Sequence, residues 1–350
     1  MRKAAALVLL LFESSAHAFP SAPERAEALL TPGAEQPLPR DYAASILDPS
    51  LFNAKSEAMD FAGRHREVFS DPSNLFLPRC AKAGDTARSP SGEPIVLMHN
   101  GLAVTQHGYY DAFSDILTSN RGVHEPAEER LFSEVLMRMP PKHALMVELG
   151  SYWAYYSTWF AKALPSSHAL DFEGNPSNLQ VGRANAKLNG VDAQIDFLPY
   201  FVGKEGESVD GQPVVSVATL LAARNVSTID LLHMDVQGSE SSVLTDMAGW
   251  LKSGRARYVF VSTHQSDANH ELCEQMLKEH GYSIIGSQTF AQQTFSEDGI
   301  LVAASPAEAG KIAKVNLGSR EHTKLRSAIY DALKRSESDA PCEYAPAWLK

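Results

Sequence analysis

From residue 144 onward, short apolar runs alternate with longer stretches whose apolar residues recur at helical spacing. The run 144–149 (ALMVEL) suits a strand buried on both faces of a parallel sheet and is too short for a core helix. Gly150 follows at once, and a helical segment over 155–164 closes on Pro165. A second run, 168–173, ends in Glu173, and the helix after it, 177–188, stops at Asn189-Gly190, a good C-terminal signal. Further strands are expected at 193–203, 228–235, 256–263, 282–288 and 299–305, with helices at 215–225, 241–251 and 268–280 and a polar loop at 204–212. Such alternation predicts an α/β domain with a mostly parallel sheet and helices on both faces. The last two runs have no clear helix between them, which predicts a terminal antiparallel hairpin.

Upstream the pattern differs. Residues 19–100 hold half of the 20 prolines, which excludes long regular elements and predicts an irregular arm over 19–104 with one or two short helices, such as 56–69. Helical spacing begins at 108–120, and a second helix over 124–139 carries Pro126, Glu128 and Glu129 in its first turn before Pro140-Pro141 stops it. The domain is therefore expected over 105–305, followed by a charged, helical tail over 306–350. At the start, Arg2 and Lys3 precede an apolar run, 4–12, too short to span a bilayer. With Ala16-His17-Ala18 as a small-x-small cleavage site, residues 1–18 read as a secretory signal peptide. The expected location is the ER or Golgi lumen or outside the cell. Phe19-Pro20 after the site also resembles the junction in plastid proteins that travel through the ER.

Composition narrows the function. With 350 residues and 44% hydrophobic side chains the chain builds a real core, and a net charge of −11 without a basic stripe excludes a nucleic-acid partner. No stable membrane span is expected. Cys80, Cys273 and Cys342 are too few and too scattered for a disulfide framework or a zinc site, and read as ordinary thiols. The sequon Asn225-Val226-Ser227 abuts a core strand and is expected to stay unused.

Candidate chemistry gathers at the carboxyl ends of the strands. A glycine after the first strand and an acid closing the second, roughly 20 residues on, is how an open α/β sheet holds a nucleotide-like ligand, the acid accepting from both ribose hydroxyls. Gly150 and Glu173 fill these places. Asp235 ends the fourth strand and His264 follows the fifth; either suits a base that removes a hydroxyl proton. His233, inside an apolar strand, reads as a packed core residue, and Glu240 as a first-turn helix acid or a substrate contact. His124, Glu125, Glu128 and Glu129 invite a metal, yet acids in a first turn already have a structural reason, so no metal is assigned.

Four segments carry a family resemblance: VELGSYWAYYSTWF (147–160), FEGNPSNLQVGRANAKLNG (172–190), IDLLHMDVQGSE (229–240), and VFVSTHQ with FSEDGILVA (259–265, 295–303). In this order they resemble class I methyltransferases that use S-adenosylmethionine, and among them the FkbM family of O-methyltransferases. The resemblance implies a Rossmann-like sheet of seven strands. It also implies S-adenosylmethionine held by Glu148, Gly150, Ser151, Tyr152, Glu173 and Asp235, catalysis by Asp235 and His264, and an acceptor hydroxyl on a sugar, glycan or other small metabolite. Glu148, Ser151, Tyr152 and Ala154 stand where the family's commoner turn has Asp, Ala, Asn and a second Gly. Gln237 and Ser262 stand where it has acids. A Gly150→Val change is expected to block the site and leave the fold largely intact. Two other readings are a nicotinamide dehydrogenase, since an acid after strand two also suits NAD, and a degenerate domain serving as a binding module.

Overall fold

The computed structural model describes residues 65, 67–69, 71–109, 114–140, 142–209, 211–290, 294–296, 298–319 and 341–349. The expected signal peptide, most of the arm including all but the end of helix 56–69, and residues 320–340 of the tail lie outside them.

The proline-rich stretch forms short elements only, as its composition requires. A 3-10 turn at Pro72–Phe76 precedes strands β1 (Thr86–Arg88), β2 (Pro94–Leu97) and β3 (Ala103–Thr105), which make a small antiparallel sheet. Helices α1 (Ser114–Ser119) and α2 (Pro126–Leu136) follow, α2 starting on Pro126. The alternating region then runs β4 (Leu145–Leu149), α3 (Tyr155–Ala163), β5 (His168–Phe172), α4 (Pro176–Asn189), β6 (Ile195–Leu198), a hairpin of β7 (Ser208–Val209) and β8 (Gln212–Pro213), and α5 (Val217–Ala223). It continues with β9 (Ile229–Met234), α6 (Glu240–Asp246), α7 (Ala248–Lys252), β10 (Ala256–Thr263), α8 (Asp267–Glu279), β11 (Ser283–Gln288) and β12 (Gly299–Ala304).

One sheet of seven strands, ordered β11-β12-β10-β9-β4-β5-β6, unites the region. It is parallel except for β12, which runs antiparallel to both β10 and β11. This is the seven-stranded, mostly parallel sheet with a terminal hairpin that the resemblance implies. Alternation along each strand sorts side chains between two cores. Met146, Leu231, Phe260 and Val302 meet Phe132, Trp159 and Phe160 on one face. Val147, Leu232, Val259 and Leu301 meet Val217, Leu244, Trp250 and Leu277 on the other. From β4 the chain winds outward to β5 and β6, then crosses back to β9 on the other side of β4. The crevice of an open sheet lies at such a switch point, outside the carboxyl ends of the strands.

Several expectations change. Beyond Leu198 the third strand gives way to a single bridge, Val202 with Val215. The helix expected over 241–251 is two helices that meet at Met247. Residues 306–319 hold no helix, and 341–349 hold one 3-10 turn, Ala347–Leu349. Cys80 and Cys342, read as ordinary thiols, form a disulfide with a Cα separation of 4.8 Å, well inside bridging range. Their separation of 262 residues hides the pairing from any local reading. Residues 341–349 return to the turn after β2, where Tyr344 N–H donates to the Asn100 carbonyl (3.2 Å), and to the end of α4, where Trp348 Nε1–H donates to the Leu188 carbonyl (3.0 Å). Cys273 is a buried free thiol. Asn225 is exposed, in a left-handed turn (φ 55°) at the amino ends of the strands, away from the crevice.

Candidate active site

A cleft of about 970 Å³ opens at the switch point. Glu148, Gly150, Ser151, Tyr152, Glu173, Asp235 and His264 all line it, so every site residue expected from the sequence comes together there.

The β4–α3 turn forms the floor. Gly150 adopts a left-handed φ of 73°, and a Cβ on it would collide with the backbone oxygen of Asp235. The expectation that Gly150→Val leaves the fold largely intact is therefore corrected: this glycine lets the ends of β4 and β9 close on each other. Tyr152 and Ala154 are also left-handed (φ 46° and 54°), conformations that disfavour side chains. Ala154 keeps the turn that a second glycine makes in the commoner family pattern.

Glu148 Oε2 accepts from Ser157 N–H (2.9 Å) and so satisfies a free donor in the first turn of α3. Burial, with Asp171 beside it, pushes its pKa well above the usual carboxylate range. Burial likewise pushes Asp171 up to about 8, against the hydrogen bond from Ser157 Oγ (2.8 Å). Ser151 is buried, and its Oγ has no hydrogen-bond partner among the described residues. Glu173 ties two turns together, accepting from Tyr152 N–H (2.9 Å) and Asn175 N–H (2.7 Å). The Asn178 side chain also bonds this carboxylate, which leaves acceptor capacity for a ligand hydroxyl. Burial raises its pKa, and these backbone bonds oppose the rise. Beside it Gly174 lies against the Phe201 ring, and Tyr200 stands at the rim, 42% exposed. An acid for a diol, an aromatic wall for a flat base and an orphaned buried hydroxyl fit S-adenosylmethionine; Glu173, Tyr200, Phe201 and Ser151 would hold it.

The other end of the cleft is acidic. His264 is buried, its Nδ1 2.7 Å from Glu240 Oε1. Its Nε2 lies 2.9 Å from Asp298 Oδ1 and 3.2 Å from Asp235 Oδ1. Burial alone pushes the imidazole pKa down, but the bonds to Asp235, Asp298 and Glu240 outweigh it and hold His264 well above its usual range. Thus His264 as it stands is a donor among carboxylates and not a free base. Glu240, fully buried, also accepts from Gly238 N–H (2.8 Å) and Asn269 Nδ2–H (2.8 Å), and positions His264.

Between these ends lies a buried wall. Glu128 accepts from Ser262 Oγ–H (3.0 Å) and meets His233 Nε2 at 2.6 Å. Burial pushes Glu128 well above the carboxylate range and His233 down to about 4, so His233 is neutral near pH 7. His233 Nδ1 and Tyr156 OH, both buried in residues that line the cleft, have no hydrogen-bond partner among the described residues. Its burial agrees with the sequence reading of His233, yet it also faces the cleft. The first-turn acids of α2 are not solvated: Glu129 is fully buried between His124 (2.8 Å) and His99 (3.1 Å).

Sequence reasoning missed Asp298 and Tyr156, and named Glu128 only as a metal candidate that it set aside. Asp298 carried a signal, because a strand antiparallel to its neighbours begins where they end. Thr263 pairs with Gly299, which sets His264 opposite Asp298.

Comparison with curated proteins gives no match. Among solved structures, the METTL16 methyltransferase domain is similar with a TM-score of 0.41 at 10% identity, over 73% of this chain and 96% of that one. A SAM-dependent methyltransferase from Agrobacterium tumefaciens scores 0.38 at 14% identity, over 61% and 70%. The precorrin-6y C5,15-methyltransferase of Geobacter metallireducens scores 0.35 at 14%, over 49% and 84%. A further match supports the family resemblance read from the sequence: residues 200–284, with Asp235 after β9 and His264 after β10, are similar to the methyltransferase FkbM domain.

Proposed function

We propose that the chain transfers a methyl group from S-adenosylmethionine to a hydroxyl oxygen of a sugar, glycan or other small metabolite. The observation that carries this reading is the polarity of one cleft: a diol-binding acid with an aromatic wall at one end, Asp235, His264 and Asp298 at the other. Bound S-adenosylmethionine would supply a methyl on a positively charged sulfur, which leaves with the S–C electron pair as the acceptor oxygen takes the carbon, and Asp235 or Asp298 would take the hydroxyl proton. Glu173 and the turn at Ser151 fix the donor half, and the acidic end holds the acceptor oxygen in line, so alignment supplies much of the rate. A nicotinamide reading is poorer, since 150–155 reads Gly-Ser-Tyr-Trp-Ala-Tyr and lacks the glycines that admit a pyrophosphate. Transfer of labelled methyl from S-adenosylmethionine to a panel of sugars and glycans tests the activity. Tight binding of S-adenosylhomocysteine with no transfer to any hydroxyl, carboxyl or amine would favour the binding module instead.

We also propose that the chain works in the secretory route, or in a plastid reached through it. The Cys80–Cys342 disulfide supports this, because such bonds persist in oxidising compartments. Because Asn225 is exposed, the sequon expected to stay unused becomes a check: a glycosidase-sensitive mobility shift of the expressed chain is expected, and a tagged protein diffuse in the cytosol with residues 1–18 intact would contradict the route.

A further inference from the structure

The acidic end of the cleft has more acceptors than protons. His264 Nδ1 is committed to Glu240, so one imidazole nitrogen, Nε2, faces Asp235 Oδ1, Asp298 Oδ1 and the Gln237 side-chain amide at 3.2, 2.9 and 2.9 Å. The Gln237 amide nitrogen also donates to Asp235 Oδ1 (3.0 Å). If Nε2 carries a proton, that proton opposes the amide hydrogens and serves only one of two carboxylates. If it carries none, Asp298 Oδ1 sits against a bare nitrogen, two acceptors face to face. Reversing the amide turns its oxygen onto Asp235 and repeats the conflict there. Either way the exposed Gln237 amide is turned, one of its contacts here is mismatched, and a small cation between the two carboxylates and Nε2 lets the amide turn to water and gives both carboxylates a positive partner.

The geometry agrees. Ligand atoms at about 2.1 Å from one ion in adjacent octahedral positions lie about 3 Å apart, close to the 2.9 and 3.2 Å found here. The three donor atoms all lie within 4.8 Å of one another. A buried carboxylate on the far nitrogen of a metal-binding histidine orients the ring and strengthens it as a ligand, and Glu240 stands in that place. Two carboxylates and one imidazole, with Asp235 33% and Asp298 19% exposed to the cleft, leave positions open for water or an alcohol oxygen. This mixed oxygen and nitrogen set suits a cation of the Mn²⁺ or Mg²⁺ kind better than a thiolate-seeking one.

We propose that Asp235, His264 and Asp298 bind one divalent cation, which holds the acceptor oxygen at this end of the cleft and favours loss of its proton. What the ion does rests on the methyl-transfer reading; that it binds does not. The test is titration of Mn²⁺ into the chelator-treated full chain, followed by calorimetry and by the electron paramagnetic resonance of free Mn²⁺, with S-adenosylhomocysteine titrated separately. One Mn²⁺ per chain is expected. Asp298→Asn should weaken it at least tenfold with S-adenosylhomocysteine affinity unchanged, and Glu240→Gln by about 10–100-fold. Glu173→Ala should leave Mn²⁺ binding as in the parent. No Mn²⁺ binding, or equal binding in the parent and a folded Asp298→Asn variant, would overturn the site. Loss of S-adenosylhomocysteine binding in the parent would instead sink the methyl-transfer reading and leave the Mn²⁺ result standing.

Discussion

Two left-handed residues in one turn carry opposite consequences. Gly150 sits against the Asp235 carbonyl, so Gly150→Ala adds a backbone collision to the left-handed penalty of about 1–2 kcal/mol. It should lower unfolding free energy by more than about 2 kcal/mol in urea. Ala154 already bears the penalty, and Ala154→Gly should stay within about 1 kcal/mol of the parent, strain relief offsetting lost burial. At the acidic end, His264→Asn should slow transfer by about 10²-fold or more with S-adenosylhomocysteine affinity within a few-fold. An unchanged rate would remove His264 from the chemistry. Single residues were legible where they follow a strand: Gly150, Glu173, Asp235 and His264 are each placed by the run before them. Tyr156 was not, because a helical residue faces a cleft only once the helix is docked, nor was the Glu128–His233 contact behind it, which joins residues 105 apart. The use of Gly150 was misread for the same reason, since its neighbour Asp235 belongs to a strand far along the chain.

Elements carry the pH dependence. Asp171, inside β5, is pushed up to about 8 by burial, whereas an unfolded aspartate ionises near 4. As pH rises between these values the unfolded chain releases its proton first, so the folded state loses stability across about pH 4–8. Asp171→Asn removes this term. The urea midpoint of the variant should therefore fall less between pH 5 and pH 8 than that of the parent; parallel profiles would show that Asp171 is not held protonated. Strand and helix type followed from periodicity because most of the sheet is buried on both faces, and runs such as 256–263 were found to the residue. The break at Met247 lay beyond the pattern, since two short helices in line keep one apolar face. The small sheet was equally hidden. Its edge β3 is satisfied by side chains of α4, where Asn185 Oδ1 accepts from Thr105 N–H (2.9 Å) and Asn189 Nδ2–H donates to the Ala103 carbonyl (2.7 Å).

On the scale of the molecule, the Cys80–Cys342 bond closes the longest loop the chain offers, from the turn before β1 to the last described segment. Cys80→Ser should destabilise by about 2–5 kcal/mol, read as a lower thermal midpoint that reductant reproduces in the parent but not in the variant. Equal midpoints with and without reductant would mean that the bond contributes nothing. No helix among the described residues is long and apolar enough to cross a membrane. The switch point between β4 and β9 gathers the carboxyl ends of five strands and the start of β12 into one cleft, and the central claim is that this cleft grips an S-adenosyl nucleoside through Glu173. Calorimetric titration of the full chain with S-adenosylhomocysteine, and in parallel with NAD, tests this directly. The account predicts one S-adenosylhomocysteine per chain, no NAD binding, and a loss of about 1–3 kcal/mol in Glu173→Ala. NAD binding in place of S-adenosylhomocysteine, or equal affinity in the parent and Glu173→Ala, would contradict it.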